Sequence, residues 1–313
     1  MKSLKTHQYL LIFLLVILAL TCLISPWMAL GADWFAERWP EVMSERVPFS
    51  RIFNRAFMIA GIIVFIFGRR VIFPAQLKAL LPVSSARGWR NLLTGWTLGV
   101  ISIAFLVTVM SVADIFTPFF RLTWDESLSR MTSAFFAGIF TGFFEELFFR
   151  GILFFGLRRQ GWTLGAYVLA NLFYSLVHFV KPGENYFLEG VDPFAGFRHL
   201  LTTFEPFLTP VPLVPGILGL LLIGVVLSYA LERTGNLSLS IGLHAGWVFS
   251  LKVIRVFGNF TRRDLGWAFG ATDPKIVSGV VSWLGILLVA VAIHRLTRGN
   301  LHRAAGQPPG SAA

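Results

Sequence analysis

The chain has 313 residues, of which 55% are hydrophobic and 14% are charged. Charged residues make up about 25% of an ordinary soluble domain, so this composition excludes a soluble globular protein. The formal net charge is +11, and in so apolar a chain it indicates short basic cytoplasmic loops that contact anionic lipid. Nucleic acid is not an expected partner, because no soluble segment carries a basic run with interleaved aromatic residues. The single cysteine, Cys22, excludes an internal disulfide and a cysteine zinc site.

Apolar runs long enough to cross a hydrocarbon core of about 30 Å recur along the chain and predict an all-α, polytopic membrane protein of about eight spans. The expected spans are 8–30, 52–68, 92–113, 129–156, 163–180, 213–231, 237–256 and 276–294. The first run is too long for the core of a signal peptide, about 7–15 residues, so we expect it to be retained, with cleavage near residues 29–32 as the alternative. The acid-free basic regions, 69–91 and the tail, predict that both termini are cytoplasmic.

The predicted spans divide the chain into three segments. Residues 1–128 hold the N-terminal helices and a basic cytoplasmic loop, 129–257 form a core of spans four to seven, and 258–313 contain the last helix and a disordered tail. The polar loop 181–212 carries His199, which we expect to be solvated, with a role in lining the site as the alternative.

Two glutamates and an arginine stand inside the fourth predicted span. On a helix Glu146 and Arg150 are one turn apart on one face, so we expect them to form an ion pair. Glu145 is rotated by about 100° from Glu146 and is expected to supply the reactive carboxylate. A charge at the bilayer centre costs about 3 kcal/mol, which indicates a functional site. A structural charge cluster that holds the bundle together is the alternative.

Two histidines lie on other predicted spans. Asn171, Tyr174 and His178 form one polar stripe on span five, and His244 stands on span seven. Counted from the helix ends, Glu145 and His178 lie at the same depth, whereas His244 is shallower and requires a span that is tilted or that starts earlier.

A glutamate and two histidines around one pocket suit two chemistries. In one, Glu145 is the general base on a water molecule, His178 orients that water and neutral His244 donates to the developing oxyanion. In the other, the same three residues bind a metal, with zinc as the candidate cofactor. Both describe hydrolysis of an amide in the membrane, and the residues do not separate them.

Residues 130–256 resemble the CAAX-protease and bacteriocin-processing (CPBP, or ABI) family of intramembrane proteases. The family motif Glu-Glu-x-x-x-Arg is complete at Glu145, Glu146 and Arg150. Its second motif, Phe-x-x-x-His, ends at His178 with Tyr174 in the Phe position, and its third, His-x-x-x-Asn/Asp, begins at His244 with Val248 in the last position. The resemblance implies that Glu145, His178 and His244 are catalytic, with Glu146 and Arg150 in support.

We therefore expect an intramembrane endopeptidase that cleaves a membrane-associated protein or peptide. Val248 removes a polar partner for the oxyanion or the site water, so a non-proteolytic scaffold, immunity or assembly factor on the same fold is the alternative. A transporter is a further alternative, but the sequence contains no internal repeat of the kind that many transporters have.

Overall fold

The computed structural model describes residues 6–42, 45–72, 80–81, 85–180, 186–262, 265–270 and 276–298. In these ranges the chain is almost wholly helical, which confirms the predicted all-α membrane fold. The α-helices are α1 (Thr6–Arg38), α2 (Phe49–Ile72), α3 (Ala86–Val112), α4 (Trp124–Glu146), α5 (Phe155–Arg158), α6 (Thr163–Gly165), α7 (Asn171–Val177), α8 (Ala195–Thr202), α9 (Val214–Thr234), α10 (Ser238–Val253), α11 (Gly266–Phe269) and α12 (Val280–Leu296). Two π-helices, Leu147–Phe154 and Ala166–Ala170, join α4 to α5 and α6 to α7. Short 3-10 turns lie at Glu205–Leu208, Val211–Leu213 and Ile276–Ser278.

Four stretches of the described helices are long and apolar enough to cross a membrane. They are Leu11–Arg38, Phe49–Gly68, Ala86–Val112 and Val211–Thr234, while Thr163–Val177 and Val280–Leu296 are apolar but shorter. The helices occur in the same order as the eight predicted spans. Because only four of the described stretches meet the length for a membrane crossing, the predicted number of eight crossings stays a prediction.

Several predicted boundaries were wrong. Helix α1 runs to Arg38 instead of ending near residue 30, and α2 and α3 extend into the predicted basic loop from both sides. Ser85 explains where α3 begins, because its Oγ accepts a hydrogen bond from Gly88 N at 3.0 Å and so caps the first turn. Residues 73–79 and 82–84 of that loop, and the predicted disordered tail from residue 299, lie outside the described residues.

The chain forms two compact units, residues 1–74 with 176–213 and residues 75–175 with 214–313. The division into three sequence segments stays a prediction beside them. In the first unit α1, α2 and α8 enclose a cluster of buried side chains: Cys22, Ala29, Phe49, Ile52, Phe53 and Ala195. The predicted solvated loop therefore contains a packed helix, and His199 on that helix is buried.

The second unit is built around α10, which is buried along most of its length. Glycines let its neighbours approach: a Cβ on Gly99 of α3 would lie 2.7 Å from Leu243 O, and one on Gly142 of α4 would lie 2.9 Å from Ala245 N. An antiparallel ribbon of β1 (Phe116–Pro118) and β2 (Gly258–Phe260), which the sequence pattern did not predict, also belongs to this unit.

Candidate active site

The glutamate pair stands where the helix changes its winding. Helix α4 ends at Glu146, and the chain continues as a π-helix that carries Arg150. A π-helix is rare and occurs frequently at functional sites, because the extra residue in the turn redirects the side chains around it. The second π-helix, Ala166–Ala170, lies directly before Asn171. Both irregular turns therefore adjoin residues that the sequence singles out.

Glu146 is the centre of a buried polar cluster. Its Oε1 accepts a hydrogen bond from Arg150 Nη1 at 2.8 Å and lies 2.8 Å from His244 Nδ1. Glu146 and Arg150 are both fully buried. The predicted ion pair is confirmed, while the contact between Glu146 and His244 was not foreseen. A buried carboxylate with two such partners is far less costly than an isolated one.

Glu145 approaches the same histidine from its other side. Its Oε2 lies 3.8 Å from His244 Nε2, and its side chain is 30% exposed. The imidazole thus lies between the two glutamates, with one ring nitrogen facing each. The shallow position predicted for His244 does not prevent this meeting, because Gly142 and Ala245 bring α4 and α10 into close contact.

Tyr174 and Asn171 line the cluster from α7. The Tyr174 ring is buried against Arg150, whose Cζ lies 4.3 Å from the ring centroid, and stands edge-on to His244 with centroids 6.2 Å apart. Asn171 donates from Nδ2 to Tyr167 O at 2.8 Å and accepts from Ser228 Oγ at 3.0 Å. Both residues therefore serve the packing and hydrogen bonding around the ion pair.

Helix α9 contributes a partner that sequence reasoning missed. Arg150 Nη2 donates to Gly224 O at 3.3 Å, and Ser228 of the same helix holds Asn171. Gly224 and Ser228 are one helical turn apart in an otherwise apolar span. That spacing is the signal in the sequence that could have found them.

His178 was predicted to lie within the fifth span, but it lies outside a helix. It lies in the turn that follows the end of α7 at Val177, where it is exposed, and it belongs to the first compact unit. Glu145, Glu146, Arg150, Tyr174 and His244 all belong to the second unit. Those five residues are the set whose mutual geometry the structure describes.

The zinc alternative requires three protein ligands. Among the described residues, no group of three or more His, Cys, Asp or Glu side chains is placed to hold a metal ion. His244 Nδ1 is already engaged by Glu146, which leaves Nε2 and the Glu145 carboxylate as donors. A catalytic zinc site uses three protein ligands, and the third predicted ligand, His178, belongs to the first unit, so the zinc site stays a prediction.

Residues 127–250 match the family model for type II CAAX prenyl endopeptidase Rce1-like proteins. This segment is Rce1-like. The match confirms the resemblance to the CAAX proteases, a family of membrane-embedded endopeptidases, and it contains the Glu-Glu-x-x-x-Arg motif and both histidines. Comparison with curated proteins and with solved structures gave no match.

The Rce1-like segment brings together a carboxylate on a half-buried side chain, a fully buried carboxylate and an imidazole between them. The Glu145 carboxylate can take a proton, and a protonated imidazole can donate one at Nε2. The buried Glu146–Arg150 pair fixes the orientation of the ring through Nδ1. An arrangement of this kind can accept and donate protons.

Proposed function

We propose that the chain is an intramembrane endopeptidase that hydrolyses a peptide bond in a membrane-associated protein or peptide. The observation that carries the proposal is the position of His244 between Glu145 and Glu146, 3.8 Å from one and 2.8 Å from the other. The family description names a prenyl endopeptidase, and a lipid-modified peptide is one form of such a substrate.

Glu145 is the proposed general base. Its carboxylate removes a proton from the attacking water as the water oxygen bonds to the scissile carbonyl carbon. The same proton then passes to the amide nitrogen as the C–N bond breaks, which yields a carboxylic acid and an amine. The side chain of Glu145 is 30% exposed, which suits this role because the base must meet water and substrate, whereas Glu146 is fully buried. His178 is proposed to orient the water, a role that the family resemblance implies.

His244 is the proposed hydrogen-bond donor to the oxyanion, and its contact with Glu146 determines which of its ring nitrogens carry hydrogen. Glu146 Oε1 also accepts from Arg150, so it acts as an acceptor and His244 Nδ1 carries the hydrogen. A neutral ring with its hydrogen on Nδ1 has no donor at Nε2. The protonated ring has donors at both nitrogens, and it makes the set of Glu145, Glu146, Arg150 and His244 neutral in total. We therefore propose that the imidazolium form replaces the neutral donor predicted from the sequence.

A non-proteolytic scaffold is the second candidate, and Val248 favours it. Val248 lies half-buried on α10 one turn after His244, where it offers no hydrogen-bonding atom. A protein that had lost catalysis could still keep the buried ion pair for packing. The two candidates differ in whether function needs the Glu145 carboxylate.

The test uses the native host with the gene deleted and complemented by wild type, Glu145→Gln or Glu145→Ala. Peptide termini in the membrane fraction are then mapped quantitatively. Termini that occur only with wild type establish proteolysis and name the substrate. Identical termini in all three strains, together with full rescue by both variants, overturn the protease and establish the scaffold.

A further inference from the structure

Helix α8 buries its small and polar side chains and exposes its large apolar ones, the opposite of a surface helix in a soluble protein. Its inner face carries small or polar residues, with Ala195, Gly196 and His199 all buried. Its outer face, continued on both flanks, exposes large apolar side chains at intervals of three and four residues. They are Phe194, Phe197, Leu201, Phe204 and Leu208, with exposures between 40% and 81%. Such a stripe in water would be a large exposed apolar patch of the kind that marks an interaction surface.

The inner face is already fully engaged within the first unit. Gly196 lies against the backbone of Cys22, so closely that a Cβ on Gly196 would be 2.7 Å from Cys22 Cα. His199 is enclosed by three rings, with centroids 5.4 Å from Phe49, 4.8 Å from Phe53 and 5.8 Å from Tyr186. Rotating α8 about its axis would break these contacts, so its apolar face remains on the outside.

The contact with Cys22 sets the depth of α8. Cys22 lies 11 residues into the membrane-spanning stretch Leu11–Arg38, which is about 17 Å at 1.5 Å per residue. A helix packed on that point of α1 is level with the hydrocarbon core. The outer surface of α1 on either side of Cys22 is apolar as well, because Leu15 and Leu23 are exposed. The stripe of α8 therefore continues a lipid-facing surface.

We propose that residues 194–208 form a membrane-embedded segment whose outer stripe contacts lipid acyl chains. Lipid is the proposed partner of the stripe, because the stripe extends the exposed apolar face of α1, which is a membrane-spanning helix. Arg198 is the charged residue of α8, and it is paired with Asp192. Pairing and a long side chain let Arg198 reach towards the polar boundary.

The test places one spin label at a time in the full chain, reconstituted in phosphatidylcholine–phosphatidylglycerol vesicles. The background is Cys22→Ser, with Cys22→Ala as a second background in case the first fails to fold. The labelled sites are Leu201→Cys and Leu208→Cys. Leu15→Cys on α1 is the lipid reference, and Val42→Cys, exposed between α1 and α2, is the water reference. Collision with oxygen, which concentrates in hydrocarbon, is compared with collision with a water-soluble nickel chelate.

We expect the ratio of oxygen to nickel collisions at Leu201 and Leu208 to match Leu15 and to exceed Val42 several-fold. Ratios equal to that at Val42 would place the segment in water and overturn the proposal. Labels that are immobilised and shielded from both reagents would mean that a protein, such as a second copy of the chain, covers the stripe. That result would also overturn the assignment to lipid.

Discussion

Glu146 and His244 lie 98 residues apart in the chain, yet Glu146 Oε1 and His244 Nδ1 are 2.8 Å apart in a fully enclosed contact. The same Glu146 oxygen accepts from Arg150 at 2.8 Å. One carboxylate therefore balances a buried guanidinium and orients the imidazole that faces Glu145. Glu146 therefore contributes to the stability of the fold and to the orientation of His244, and substitutions can separate these two contributions.

Glu146→Gln is expected to lower the free energy of unfolding by about 3–5 kcal/mol, because it leaves the Arg150 charge buried without its partner. The double variant Glu146→Gln/Arg150→Met removes both charges and should recover most of that stability. Its cleavage rate should stay at least about 10²-fold below wild type, because His244 still lacks its carboxylate. Denaturation in mild detergent and cleavage of the mapped substrate measure the two effects. Recovery of both quantities together would show that Glu146 serves stability alone.

Gly142→Ala is expected to separate α4 from α10. The added Cβ would lie 2.9 Å from Ala245 N and 3.0 Å from Ile241 O, so one helix must move. We expect a loss of about 1–3 kcal/mol of stability from overpacking and a lower cleavage rate, because His244 moves away from Glu145.

Gly285→Ala on α12 is the matched control for Gly142→Ala. It adds the same methyl group to a helical glycine, but no atom beyond the adjoining backbone of its own helix lies within 4 Å of the new Cβ. Its stability should be unchanged or slightly higher, because Ala favours helix more than Gly does. Equal behaviour of the two variants in unfolding and cleavage would contradict the account of close helix packing.

Val248→Asn is expected to raise the cleavage rate. Position 248 lies one turn after His244 on α10, and an amide there can supply a second donor to the oxyanion. Such a donor is worth about 10²–10³-fold in rate where it is well placed. Val248→Leu, which adds volume without a donor, is the control. Cleavage by Val248→Asn but not by wild type would support the scaffold as the present function of the chain.

The residues of the site could be predicted from the sequence better than their contacts. The ion pair of Glu146 and Arg150 followed from helical spacing, because a one-turn separation fixes their common face. The contact of Glu146 with His244 could not be predicted, since it depends on how closely α4 and α10 approach. Nor does spacing show that α7 ends at Val177, which leaves His178 in a turn.

The first unit was harder to predict, because residues 181–212 look like a polar loop. Their prolines and acids are typical of loops, and the short helix α8 is recognisable only once its partners on α1 and α2 are known. His199 was expected in solvent for this reason, whereas it is 1% exposed among three aromatic rings. Tertiary packing outweighed local composition here.

His199 is expected to hold α8 in place through the packing of its ring. The ring is 1% exposed, and its centroid lies 4.8 Å from that of Phe53 and 5.4 Å from that of Phe49. His199→Ala removes the ring and leaves a cavity among these side chains, which weakens a packed core. His199→Phe keeps a ring in the same place. We therefore expect α8 to undock more readily in His199→Ala than in wild type or His199→Phe.

Cys22 provides the measurement, because it is the only cysteine in the chain and lies under Gly196 of α8. Its modification by a membrane-permeant thiol reagent, divided by the rate in detergent-denatured protein at the same pH, reports undocking. This ratio should rise several-fold in His199→Ala and stay near the wild-type ratio in His199→Phe, which fills the same aromatic enclosure. The outer face of α8 is identical in the three proteins, so a difference between them reports the packing of the inner face. An unchanged ratio in His199→Ala would mean that other contacts hold α8 in place.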